Sequence, residues 1–71
     1  MDIGTAIKEI RVKSLLSQND FANELGVSFS TVNRWENGHA MPNYKALKKL
    51  KEFCLANHID FDQDKLIPES K

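Results

Sequence analysis

A chain of 71 residues, 41% of them hydrophobic, supports one domain with one modest core and leaves no apolar material to wall a deep catalytic cavity. Ten Lys and Arg balance ten Asp and Glu, but residues 1–56 hold eight cations against six anions, while Asp60, Asp62, Asp64 and Glu69 outweigh Lys65 and Lys71. The body is mildly basic, the tail is acidic, and salt-driven non-specific binding to a polyanion is expected to be weak.

Ile3, Ile7 and Ile10, with Ala6 beside them, recur at helical spacing and predict an amphipathic helix over residues 2–14, with Lys8, Glu9 and Lys13 toward water. Leu15 and Leu16 are expected to fold onto the core behind it. Ser17 with Asp20 three residues on is a capping-box pattern, so a second helix is predicted from Gln18 to Leu25. Gly26 ends it, because the sharp turn needs a positive φ that glycine adopts without steric cost. Ser28 caps a third helix over Phe29 to Asn37, terminated by Gly38 in the same way. Pro42 interrupts the chain and Asn43 caps a fourth helix over residues 44–57. Its apolar face carries Leu47, Leu50, Phe53 and Cys54, leaving Lys48, Lys49, Lys51 and Glu52 solvated. From Ile59 to Ile67 apolar residues alternate with acids, which fits a short fifth helix or an extended strap equally, and residues 68–71 are expected to fray. The fold class is therefore all-α, a compact bundle of four to five helices, with residues 1–67 as a single domain.

Residues 18–37 carry the functional signal. Phe21, Leu25, Val32 and Trp35 anchor two short helices, small Ala22 permits close crossing, and Gly26 makes the turn between them. By periodicity Trp35 faces the first and fourth helices as a core anchor. The outer face of the third helix presents Ser30, Thr31, Asn33, Arg34 and Asn37, side chains able to read base edges from a major groove.

Across residues 4–57 the chain resembles the lambda-repressor-like family of helix-turn-helix regulators, the Cro and Xre type. The resemblance rests on Ile7-Lys8-Glu9-Ile10-Arg11, Leu16-Ser17-Gln18, Phe21-Ala22, Leu25-Gly26-Val27-Ser28, Thr31-Val32, Trp35-Glu36-Asn37-Gly38 and Pro42. It implies a five-helix domain that binds double-stranded DNA as a two-fold homodimer, with the helix after Ser28 in the major groove. Residue by residue, it implies that Gln18 grips the sugar-phosphate backbone and that Phe29, Ser30 and Arg34 touch bases, with Thr31 and Asn33 at the margins. Arg34 has the chemistry to bond guanine O6 and N7 bidentately. Phe29 departs from the polar residue common at its position; it either meets a thymine methyl or packs beside the turn. Asn37, His39, Asn43, Tyr44 and Lys45 are the implied contacts to phosphates of the far strand. Arg11 and Glu36 match a structural pair that joins the first helix to the third.

Other classes fare less well. No paired carboxylates, activated nucleophile or phosphate loop stands at a workable spacing, so the chain is not read as an enzyme and no cofactor is expected. Lone Cys54 and two His offer neither a disulfide nor a metal cage. No apolar run nears the roughly 18 residues of a membrane span and no signal peptide is recognised, so no membrane partner and a cytoplasmic location are expected. The Lys48, Lys49 and Lys51 cluster reads as a solvated helix face, too far in sequence from the third helix to be assigned to DNA. Two alternatives stay open: an antitoxin whose segment from Asp60 covers a protein partner, and an interaction module on the same fold without DNA binding. The stretch from Ile59 to Ile67 is the first place to look for a dimer interface.

Overall fold

A computed structural model describes residues 3–61. Among these residues the chain forms α1 (Ile3–Lys13), α2 (Gln18–Leu25), α3 (Phe29–Glu36) and α4 (Tyr44–Ala56), with no strand. Three helix starts use one device. Ser17, Ser28 and Asn43 hold extended backbone, and their side-chain oxygens accept from the N–H of Asp20, Thr31 and Ala46 at 3.0, 3.1 and 2.9 Å. Each satisfies a first-turn donor that the helix leaves orphaned, a contribution of about 1 kcal/mol.

The helix ends are equally uniform. Leu15, Gly26, Gly38 and His58 all have positive φ, at 60°, 72°, 76° and 58°. In each case the following residue donates back five positions, as Leu16 to Arg11, Val27 to Ala22, His39 to Arg34 and Ile59 to Cys54. The left-handed residue reverses the chain, which is the geometry of a Schellman turn. Gly26 and Gly38 advertise it in the sequence; Leu15 and His58 do not. Leu15 was expected to pack on the core, and this is the correction: its left-handed backbone turns it outward, 92% exposed, while Leu16 takes the inward place.

The core is assembled from Ile7, Ile10, Phe21, Leu25, Val32, Trp35, Leu50 and Cys54, each under 5% exposed. Phe21 meets Phe53 edge to face, with ring centroids 5.3 Å apart. Burial pushes the Cys54 thiol pKa up, in keeping with a small core residue. α3 packs on α2 and α1, while α4 packs on α2. Gly4, which the sequence reading passed over, sits where α1 crosses the end of α3. A Cβ there would lie 2.6 Å from the Trp35 carbonyl oxygen and 2.9 Å from that of Glu36, so only glycine permits this approach. Ile59 and Phe61 lack helical structure and pack against the core. The choice between helix and strap for the rest of the segment to Ile67, and the fraying of residues 68–71, lie outside the described residues.

Candidate nucleic-acid interface

α2 and α3 form a helix-turn-helix across Gly26, Val27 and Ser28. Val32 and Trp35 are buried, so α3 can present only its other side to solvent. Phe29, Ser30, Arg34 and Asn37 are exposed there, and their successive spacings of one, four and three residues make a continuous stripe along the helix and its C-cap. Phe29, at 49% exposure, is neither buried beside the turn nor fully free of it.

A hydrogen-bond chain fixes the pose of this stripe. The Arg11 guanidinium donates to both Glu36 carboxylate oxygens, Nε to Oε2 at 2.7 Å and Nη2 to Oε1 at 3.1 Å, and its Nη1 donates to the Leu16 carbonyl at 3.0 Å. The two side chains are 15% and 4% exposed, so the pair lies out of bulk water where charge-assisted bonds are strong. Gln18 Nε2 donates to Glu36 Oε1 at 3.0 Å, Asn33 Nδ2 donates to Gln18 Oε1 at 3.2 Å, and Asn37 Nδ2 donates to Asn33 Oδ1 at 3.1 Å. Three helices are thereby joined through their polar side chains, and no buried polar side-chain atom among the described residues lacks a partner.

Beside α3 runs a groove of about 430 Å³, bounded on its far side by the loop at residues 40–43 and the first half of α4. Thr31, Arg34, Asn43, Lys45 and Lys49 contribute its polar lining over an apolar floor that includes Val27 and Met41. None of the lining residues is acidic.

The family described as Helix-turn-helix matches residues 7–54, most of the chain and all of this assembly. The chain belongs to the helix-turn-helix regulators of the Cro and Xre type. That is a family of DNA-binding transcription regulators rather than of enzymes. Among curated proteins, the chain is 35% identical over 51 residues to "Multiprotein-bridging factor 1" of Debaryomyces hansenii, an alignment covering 72% of this chain and 34% of that protein. It is 30% identical over 53 residues to "HTH-type transcriptional activator BcrR" of Enterococcus faecalis, covering 75% of this chain and 26% of that one. The chain thus aligns with about a third or less of each relative's length.

Within this helix-turn-helix domain the residues singled out from sequence do not share one surface. Phe29, Ser30, Arg34 and Asn37 share the open stripe. Gln18 and Asn33 are half-buried and bonded to each other; Gln18 uses one Nε2 hydrogen on Glu36 and keeps the second for another acceptor. Thr31 is turned from the stripe toward the groove, with its Oγ1 2.8 Å from Ser28 Oγ. His39, Asn43, Tyr44 and Lys45 lie exposed after α3 and at the start of α4, where Asn43 spends its oxygen on capping. Ala22 and Trp35 are buried, as their anchoring and close-packing roles require. Lys49, set aside for its distance in sequence, is exposed as expected of a solvated face and also lines the groove with Arg34, because the α3–α4 connection doubles back. Among the described residues no His, Cys, Asp and Glu group could hold a metal, and no helix is long and apolar enough to cross a membrane.

Proposed function

We propose that this chain is a sequence-specific transcriptional repressor that inserts α3 into the major groove of an operator half-site, working in the cytoplasm as one half of a two-fold dimer. The carrying observation is the exposed stripe of Phe29, Ser30, Arg34 and Asn37 on a helix clamped from behind by the Arg11–Glu36 pair. A recognition helix must hold its side chains in register before it meets DNA, and a fixed helix with a free polar face meets that demand. In this reading Arg34 contacts guanine, Ser30 a neighbouring base edge and Phe29 a thymine methyl. Thr31 and Asn33, engaged with Ser28 and Gln18, orient the helix more than they read it. Gln18 offers its second amide hydrogen to a phosphate, and Asn37, His39, Asn43, Tyr44 and Lys45 supply further backbone contacts. Repression needs only that the occupied operator exclude polymerase. Ile59 and Phe61 spend apolar surface on the chain's own core, so the dimer contact is assigned away from those two side chains.

The test is selection of binding sites from a random duplex pool at near-physiological salt, with wild type and Arg34→Ala in parallel. A two-fold motif whose preference relaxes at one base pair per half-site in the variant supports the reading. No enrichment even at low salt overturns it and favours an interaction module on the same fold.

A further inference from the structure

The Asn37–Gly38 step at the end of α3 is the most labile asparagine site of the chain. An asparagine side-chain amide is open to attack by the backbone nitrogen of the next residue, and any side chain on that residue crowds the approach. Five of the six asparagines precede Asp20, Glu24, Arg34, Tyr44 or His58; Asn37 alone precedes a glycine. Both residues are exposed, yet the fold holds the reacting atoms apart. Asn37 has ψ 3°, which sets the Gly38 nitrogen beside the nitrogen of Asn37 and turns it away from Cβ and the amide carbon Cγ. The Gly38 N–H donates to the Trp35 carbonyl at 3.1 Å, and Asn37 Nδ2 donates to the Asn33 carbonyl and Oδ1 at 3.0 and 3.1 Å. A ring between the Gly38 nitrogen and Cγ cannot close until this cap of α3 unwinds. α1 braces the same cap, because a Cβ on Gly4 would stand 2.6 Å from the Trp35 carbonyl oxygen that receives the Gly38 N–H.

We propose that Asn37 is a self-modification site gated by the opening of this cap. When the cap opens, the Gly38 nitrogen attacks Cγ of Asn37 and gives up its proton, the Cγ–Nδ2 bond breaks, and Nδ2 leaves as ammonia. Water then opens the cyclic imide at either of its carbonyls, giving aspartate or isoaspartate, so the net change is amide plus water to carboxylate plus ammonium. The product places a negative charge at the C-terminal end of α3, where the helix dipole disfavours it, and turns it toward the two Asn33 oxygens that Nδ2 had satisfied. The consequence for binding rests on the DNA-binding reading above: the new charge stands on the stripe with Arg34 and repels phosphates. Conversion runs one way, so each molecule is retired according to the time its cap has spent open.

The experiment follows the full chain at mildly alkaline pH by mass spectrometry with fragment-ion mapping. Beside it run a peptide of residues 34–42, the chain unfolded in guanidinium chloride, and Gly4→Ala. Asn37 is expected to convert at one common rate in the peptide and the unfolded chain, and at least about tenfold more slowly, but measurably, in the folded chain. Gly4→Ala, which leaves the sequence around Asn37 unchanged, is expected to convert faster than folded wild type. A folded chain that matches the peptide overturns the gate, as does a folded Gly4→Ala that matches wild type. Earlier conversion at another asparagine, or none at Asn37 in the folded chain, overturns the site, and these arms decide it whether or not Gly4→Ala folds. The effect on DNA is read separately, by anisotropy on a fluorescein-labelled mixed-sequence duplex at low salt. Asn37→Asp is expected to bind about fivefold more weakly than Asn37→Ser, which loses the same amide bonds without gaining the charge. Equal affinities overturn the effect on binding, and a wild type that does not bind at all sinks the DNA-binding reading instead.

Discussion

Glu36→Gln keeps the size of the side chain and removes its charge, which isolates what the carboxylate does. Its two oxygens receive three donors: Arg11 Nε at 2.7 Å, Arg11 Nη2 at 3.1 Å and Gln18 Nε2 at 3.0 Å. Glutamine supplies one oxygen, so whichever way it turns, an amide NH₂ confronts at least one of these donors. Arg11 keeps the Leu16 carbonyl and one bond to the amide oxygen, with its side chain 15% exposed. Removing one partner of a fully buried pair costs about 3–5 kcal/mol; the residual exposure of Arg11 and the surviving oxygen reduce this to about 2–3 kcal/mol. A domain of this size holds roughly 4–10 kcal/mol in all, so a large part of its stability is at stake. At about 4–8 °C per kcal/mol, Tm falls by roughly 10–20 °C. The assay is urea unfolding followed by far-ultraviolet circular dichroism on wild type, Arg11→Met, Glu36→Gln and the double variant. The double variant should lose clearly less than the two single losses added together, and the coupling should persist at high salt because buried pairs are poorly screened. Losses that add to within about 0.5 kcal/mol refute the reasoning.

Gly4→Ala gains helix propensity yet is expected to destabilise by about 1–2 kcal/mol, because the new Cβ meets two backbone carbonyl oxygens of α3 and forces α1 away. An unchanged or raised melting temperature counts against that packing. Leu15→Gly is expected to act the other way. It relieves a left-handed leucine that is 92% exposed, for a net gain of about 0.5–1 kcal/mol after the unfolded-state entropy of glycine, and a loss in urea unfolding contradicts it.

Much of this protein is written in local sequence. The four helices, their three capping residues and the two glycine stops depend on interactions within a few positions, such as Ser28 with Thr31 or Gly26 with its own φ, so periodicity and cap chemistry suffice to find them. Part of the open face of α3 was legible for the same reason, since burying Val32 and Trp35 leaves Ser30, Arg34 and Asn37 outside, whereas Thr31 and Asn33, expected on that face, turn to the groove and to Gln18. What the sequence could not supply depends on separate segments meeting. Nothing near Gly4 announces that α3 will end against it, and Leu15 carries no mark of a left-handed turn, because the residue is costly there and is held by Leu16 packing inward. Gln18 and Asn33 look like surface amides until the α2–α3 crossing brings them to 3.2 Å. Lys49 looks like one more solvated lysine until the loop after α3 returns it to the groove beside Arg34. Short-range hydrogen bonding and periodicity determine the elements; only the packing of those elements decides which polar side chains are spent within the fold and which remain for a partner.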